Sequence, residues 1–162
     1  MTYRFTLLYV VLIVAVNYGF VVVPLLPMPG GEMWPPMSLV VGFVFVARDF
    51  AQREIGHRVI IAMLVAAGLS YAMADPFVAA ASLAAFLISE FADWAVYSFT
   101  GKPLSQRVLL SSALGTPIDS VVFLAMIGHL SVVGVVAMTL SKMVGALMVW
   151  WLVRRRETVV AG

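Results

Sequence analysis

The stretch PFVAAASLAAFLISEFADWAVYSF, residues 76–99, combines a long apolar run with two acidic residues. It is long enough to cross a bilayer, which takes about 20 apolar residues in a helix. Yet it contains Glu90 and Asp93, and an acid at the centre of a span costs about 2.5 to 3.5 kcal/mol on the insertion scale. Such acids are retained where they face other helices or a hydrated cavity. The stretch therefore predicts a membrane helix that turns a polar face toward partner helices.

The rest of the chain has the same character. Of 162 residues, 63% are hydrophobic and 11% are charged, whereas soluble domains average about 45 to 50% and about 25%. This composition excludes a soluble enzyme, a nucleic-acid-binding module and a disordered tail. It predicts an all-α bundle of six transmembrane helices in one integral membrane domain, residues 1–162. The expected spans are 5–24, 36–53, 58–74, 76–99, 106–127 and 131–153.

The third span is the shortest, since the apolar run from Val59 to Met73 would rise only about 22 Å. A re-entrant segment is the alternative for it. Basic residues favour six crossings, because cytoplasmic loops carry an excess of Lys and Arg. They fall on one set of connections and both ends, at Arg4, Arg53, Arg58, Lys102, Arg107 and Arg154 to Arg156. The other connections contain Glu32, Asp75 and His129, so both termini are expected in the cytoplasm.

Four charged residues inside the spans are the candidates for a functional site: Glu90, Asp93, Asp119 and Lys142. One interpretation is structural, with Lys142 neutralising one carboxylate and holding helix six in place. Three acids against one base leave at least one carboxylate to bind a ligand or take a proton. We therefore expect a hydrophilic pocket between helices four, five and six.

Polar residues on the other helices extend this prediction. Ser112, Thr116 and Asp119 recur at helical spacing and draw one polar stripe along helix five. Asn17 in helix one fits either a packing hydrogen bond or a pocket wall. At the end of helix two, Arg48 and its neighbours are placed where long side chains can reach the membrane surface.

The residues that are missing exclude other chemistries. The chain has no Cys, and its two histidines, His57 and His129, lie in connections, so neither a metal cluster nor a histidine-based triad is expected within the spans. A Ser120 and Lys142 dyad is the remaining hydrolytic alternative. We expect no enzymatic activity and no cofactor.

Three segments carry a family resemblance: RDFAQREIGHR (48–58), SEFADWAVYSF (89–99) and SSALGTPIDSVVF (111–123). In order and spacing they resemble the queuosine precursor transporter family, also called the vitamin uptake transporter family. The matching positions in helices two, four and five are Asp49, Glu54, Gly56, Glu90, Asp93, Ser112, Thr116, Asp119 and Ser120.

The resemblance implies an importer in the inner membrane for a 7-deazaguanine, such as 7-cyano-7-deazaguanine or 7-aminomethyl-7-deazaguanine, which is salvaged into modified nucleic acid. The fold would be similar to the substrate-binding subunits of energy-coupling-factor importers. Expected partners are the purine-like substrate and the lipid bilayer, with no direct nucleic acid and with a homo-oligomer left open. The predicted substrate-binding residues are Asp49, Glu90, Asp93, Ser112, Thr116 and Asp119, which occupy matching positions, together with Asn17 and Lys142, which are added because they are polar residues inside the spans.

Two alternatives remain at this point. One is a binding subunit for another heterocyclic vitamin, working with a separate ATP-driven module. The other is a structural membrane protein whose buried charges lock helices together, without transport activity.

Overall fold

The computed structural model describes residues 3–28, 31–73 and 76–161. Across these residues the chain is all-α apart from one short hairpin, as predicted. Six helices are present in this part of the chain: α1 (Arg4–Val22), α2 (Ser38–Ile55), α3 (Val59–Met73), α4 (Pro76–Phe99), α5 (Leu104–Met126) and α6 (Val132–Ala161). Their limits lie close to the predicted spans except at the end of α6, which continues through the basic residues beyond Val153. Asp75, used to argue orientation, lies outside the described residues.

The helices form a closed ring, in which each one packs against two neighbours in the order α1, α2, α6, α5, α4, α3. Helix α2 also touches α5 and α4 across the ring. An apolar cluster fills the side made by α1, α2 and α3, around Tyr9, Val44 and Met63. The interior between α2, α4, α5 and α6 is mainly polar, and it holds the candidate site.

Helices α2 and α3 are antiparallel, although only a single 3₁₀ turn, Gly56–Arg58, separates them. The Glu54 carboxylate at the end of α2 accepts hydrogen bonds from the backbone and side chain of Thr6, at the start of α1. Near the other end of α1, Asn17 donates to Ser70 in α3. Helix α3 therefore runs back alongside α1. Gly56 makes this reversal at φ 62°, a backbone conformation that favours glycine.

The outer surface of the bundle is apolar, as a lipid-facing surface requires. Large hydrophobic side chains such as Leu7, Ile61 and Val132 are more than half exposed. Five stretches of the described residues are long and apolar enough to cross a membrane, the second being Ser38–Ala72, which joins α2 to α3. The chain is therefore a multi-pass membrane protein.

A small antiparallel hairpin, which the sequence did not predict, connects α1 to α2. Its strands are β1 (Leu26–Pro27) and β2 (Met33–Trp34). The Trp34 indole donates to the Ser141 hydroxyl of α6. This hydrogen bond ties the connection to α6, the next helix in the ring after α2.

Helices α2 and α6 approach each other backbone to backbone. A Cβ atom added at Gly42 would collide with the carbonyl group of Lys142, and one added at Gly145 would lie 2.9 Å from the carbonyl carbon of Gly42. Small residues permit this kind of contact between membrane helices. The backbone of Lys142 lies at this crossing, and its side chain is buried.

Candidate functional site

Arg48 of α2 lies at the centre of a buried ionic cluster, and its side chain is fully buried. All three guanidinium nitrogens have a polar neighbour. Nε lies 3.4 Å from Glu90 Oε2, Nη1 donates to Gln52 Oε1 at 2.5 Å, and Nη2 contacts both Asp93 Oδ2 and Asp49 Oδ1. One cation thus joins carboxylates from α2 and α4.

The carboxylates around Arg48 have further partners on other helices. The Tyr9 hydroxyl of α1 donates to Glu90 Oε2 at 3.0 Å. The Ser111 hydroxyl of α5 donates to Asp49 Oδ2 at 2.8 Å. Helices α1, α2, α4 and α5 therefore all contribute to this cluster, which is wider than the predicted site between helices four, five and six.

A second ionic group lies between α5 and α6. Lys142 Nζ contacts Asp119 Oδ2 at 2.5 Å and donates to the Ser120 hydroxyl at 2.9 Å. Ser89 of α4 donates to the other Asp119 oxygen at 3.3 Å. Because Ser89 precedes Glu90 on α4, this pair is next to the Arg48 cluster along that helix.

Six buried oxygen atoms in or beside these ion pairs have no hydrogen-bond partner among the described residues. Two of them, Asp49 Oδ1 and Asp93 Oδ2, contact Arg48 as ion pairs. The other four have neither kind of partner: Glu90 Oε1, Asp93 Oδ1, Ser112 Oγ and Thr116 Oγ1. Ser112 and Thr116 share the α5 face of Asp119. Gly115 lies between them in sequence, and a Cβ added there would be 3.3 Å from the Asp93 Cβ. Buried polar atoms without a partner carry a desolvation cost. These four are the acceptors that a ligand could use.

The charge balance differs from the one that the sequence suggested. The expectation that the Arg48 side chain reaches the membrane surface is wrong, because it lies about two turns before the end of α2 and turns inward. Arg53, one turn nearer the end, is exposed as expected. Arg48 and Asp49 join the interior, so the described cluster contains four acids and two bases.

Sequence reasoning missed several residues of this site: Tyr9, Arg48, Gln52, Ser89 and Ser111. Two signals could have identified Arg48 and Gln52. They are four residues apart and therefore share one helix face, and Arg48 lies well inside the predicted span 36–53. Tyr9 had no such signal, since it lies within a uniformly apolar helix.

Asn17 is the one predicted site residue that lies apart from the cluster. Its amide donates to the Ile13 carbonyl at 2.8 Å and to the Ser70 hydroxyl at 2.7 Å. Of its two interpretations, the contacts favour a packing hydrogen bond between α1 and α3.

The expected pocket does not correspond to either of two depressions on the surface of the bundle. One, of about 440 Å³, lies where α1 begins and is lined by residues that include Thr6, Glu54 and Arg58. The other, of about 310 Å³, lies on the outside of α5 beside Pro117. Neither touches the ionic cluster, whose carboxylates contact Arg48 and Lys142 directly. No group of metal-ligating side chains suited to a metal ion occurs among the described residues.

A comparison with known protein families identifies the family of this chain. The model of the family described as "Putative vitamin uptake transporter" matches residues 56–155, well over half of the sequence. The chain belongs to the vitamin uptake transporter family. It is accordingly a membrane transporter for a small molecule. The match includes Glu90, Asp93, Asp119 and Lys142, whereas Arg48 and Asp49 precede it. No curated protein and no solved structure matches the chain.

Proposed function

We propose that this transporter imports 7-deazaguanine precursors of queuosine, such as 7-cyano-7-deazaguanine or 7-aminomethyl-7-deazaguanine, across the inner membrane. The proposal includes six crossings, both termini in the cytoplasm and a fold like that of energy-coupling-factor substrate-binding subunits. The transported base is released unchanged for salvage into modified nucleic acid. The protein itself acts on no bond of the substrate.

The observation that carries the proposal is the pair of buried carboxylates on α4, each with one oxygen that has neither a hydrogen-bond nor an ion-pair partner among the described residues. Glu90 is 1% exposed and Asp93 is fully buried. A 7-deazaguanine presents two neighbouring N–H donors, at N1 and at the 2-amino group. A carboxylate accepts two parallel N–H bonds well, so these acids fit the donor edge of the base.

Residues around the two acids suit the remainder of a planar base. The Ser112 and Thr116 hydroxyls offer hydrogen bonds to its other polar atoms. Phe45 is almost fully buried and lies close to Gly115, near Asp93. Ligand sites typically combine apolar or aromatic walls with a few placed polar groups. On this proposal Asp119 and Lys142 balance charge beside the bound base, Asp49 holds Arg48, and Asn17 supports helix packing.

Transport of a base through this cluster requires the helices to separate. The carboxylates of α4 contact the guanidinium of α2 directly, so a base reaches them only when α2 and α4 move apart. The Trp34 to Ser141 hydrogen bond would have to break if the base enters beside the hairpin. Lids and hinges of this kind gate many binding sites.

The test is uptake of radiolabelled 7-cyano-7-deazaguanine and 7-aminomethyl-7-deazaguanine by cells unable to synthesise them. Wild type should restore uptake, and Glu90→Gln and Asp119→Asn should each reduce it at least tenfold, the equivalent of about 1.4 kcal/mol. Glu32→Gln, a matched change outside the cluster, should transport normally. Absence of uptake by the wild type would reject the substrate class, and full uptake by both site variants would reject the site.

The family description names vitamin uptake, which favours a vitamin as the second candidate substrate. As this candidate we propose a different heterocyclic vitamin, taken up together with a separate ATP-driven module. Loss of uptake in cells that lack such a module would favour this second candidate. Competition by a panel of unlabelled vitamins in the same uptake assay would identify the other ligand.

A further inference from the structure

The guanidinium group of Arg48 is held as a ligand would be. It lies inside the ring of helices, shielded from lipid and water, with carboxylate contacts from two helices. Its Nε and Nη2 atoms lie near Glu90 and Asp93 but without regular hydrogen-bond geometry. The α4 carboxylates thus keep lone pairs that another donor could take.

The donor edge of a 7-deazaguanine has the same chemistry as this side chain. Atoms N1, C2 and N3, with the 2-amino group, form a cyclic guanidine that presents two parallel N–H donors. The Nε–H and Nη–H groups of an arginine present the same planar pair. A site that holds one can hold the other, apart from the charge.

We propose that Arg48 is an internal stand-in for the substrate, and that the cyclic guanidine edge of the base displaces its guanidinium from Glu90 and Asp93 on binding. This inference rests on the proposed function, and it assigns Arg48 as the residue that sets specificity. In the absence of the base the cation offsets part of the negative charge of the two acids. When the base binds, its donors replace those of the arginine.

The displaced cation has partners within reach, so it does not become an unpaired buried charge. Gln52 already accepts from Nη1 at 2.5 Å, and Asp49 lies 3.1 Å from Nη2. The ring of Tyr97 lies 5.9 Å from the guanidinium carbon, within the range of a cation–π contact. Arg48 can therefore give up the two α4 carboxylates while it keeps its contacts with Gln52, Asp49 and the Tyr97 ring.

This exchange predicts that the site discriminates between guanine-type and adenine-type bases. An adenine-type base lacks the 2-amino group and presents an unprotonated N1 acceptor, so it cannot replace the guanidinium against two carboxylates. Binding of such a base would leave buried acceptors unpaired. In sites built for hydrogen bonds this penalty produces discrimination of several orders of magnitude. Other rings with a 2-amino-4-oxopyrimidine edge, such as pterins, share the required donors.

The first test is Arg48→Lys, which keeps the positive charge but removes the planar guanidinium group with its parallel N–H donors. If Arg48 competes with the base, the variant should bind 7-aminomethyl-7-deazaguanine about tenfold more tightly, the equivalent of one charge-assisted hydrogen bond, and should transport it more slowly. Arg53→Lys on the exposed face is the matched control, and its affinity should equal that of wild type. A purely structural role for Arg48 would weaken binding, so unchanged or weaker binding by Arg48→Lys overturns the inference.

The second test is rescue of Arg48→Ala by added ligand, read as the thermal unfolding midpoint of detergent-solubilised protein. Millimolar guanidinium chloride and 7-cyano-7-deazaguanine should each raise the midpoint of the variant, because a ligand stabilises the folded state that binds it. Tetramethylammonium chloride and 7-cyano-7-deazaadenine should not. An equal response to all four compounds, or to none, overturns the inference. If Arg48→Ala cannot be purified, the affinity of Arg48→Lys decides alone.

The outcomes separate this inference from the proposed function. If wild type imports 7-deazaguanines but neither Arg48 variant gives the expected result, the proposed function holds and the stand-in role of Arg48 is rejected. A response of Arg48→Ala to guanidinium and to a pterin, with no binding of any 7-deazaguanine, supports the stand-in role and rejects the deazaguanine substrate.

Discussion

At the level of single residues, substitutions in the Lys142 and Asp119 ion pair test how much each buried charge depends on its partner for stability. Lys142 is 1% exposed and Asp119 16%. Removing one partner of a buried pair leaves the other uncompensated, which costs about 3 to 5 kcal/mol. Lys142→Met should therefore lower the free energy of unfolding by about this amount, measured by denaturant titration in mixed micelles.

The double variant Lys142→Met with Asp119→Asn supplies the control. It removes both charges, so it should recover a large part of the stability lost by Lys142→Met alone. Strictly additive losses would mean that the two side chains do not interact. A double variant that is stable and still transports would assign the pair to helix packing, as the structural alternative holds.

At the scale of elements, the crossing of α2 and α6 depends on two glycines. Gly42→Ala would place a methyl group against the Lys142 backbone, and overpacking of this kind costs about 1 to 3 kcal/mol. Gly68→Ala in α3 is the matched control, since nothing lies within 4 Å of the added Cβ. Thermal unfolding should show a lower midpoint for the first variant and an unchanged or higher one for the second. Equal midpoints would contradict the close crossing.

The helices themselves could be read from the sequence because apolar length alone determines a membrane helix. The inward orientation of Glu90 and Asp93 followed from the cost of exposing acids to lipid. Their partner did not follow, because Arg48 is more than forty residues away and its depth in α2 depends on how α2 packs. Sequence patterning gives the periodicity of each helix, whereas the ring order that brings α2 against α4 is a tertiary property.

At the scale of the whole molecule, the number of crossings can be measured because the chain contains no Cys. With six crossings, His57→Cys and Lys102→Cys should react with a membrane-impermeant maleimide from the cytoplasmic side, and His129→Cys from the outer side. A single crossing by Ser38–Ala72, or a re-entrant α3, would exchange the sides of Lys102 and His129. Labelling of intact cells and inverted vesicles distinguishes these arrangements.

The cluster around Arg48 also constrains how the protein is made. Ribosomes deliver α2, with its arginine and aspartate, well before α4 supplies the two acids that complete the cluster. Until then Arg48 has only Asp49 and Gln52 of its own helix as partners, and a helix whose buried charges lack some of their partners gains less from entering lipid alone. We therefore expect α2 to enter the lipid together with α4 rather than before it. The side chains that we assign to substrate recognition would thus also affect the order in which α2 and α4 enter the membrane.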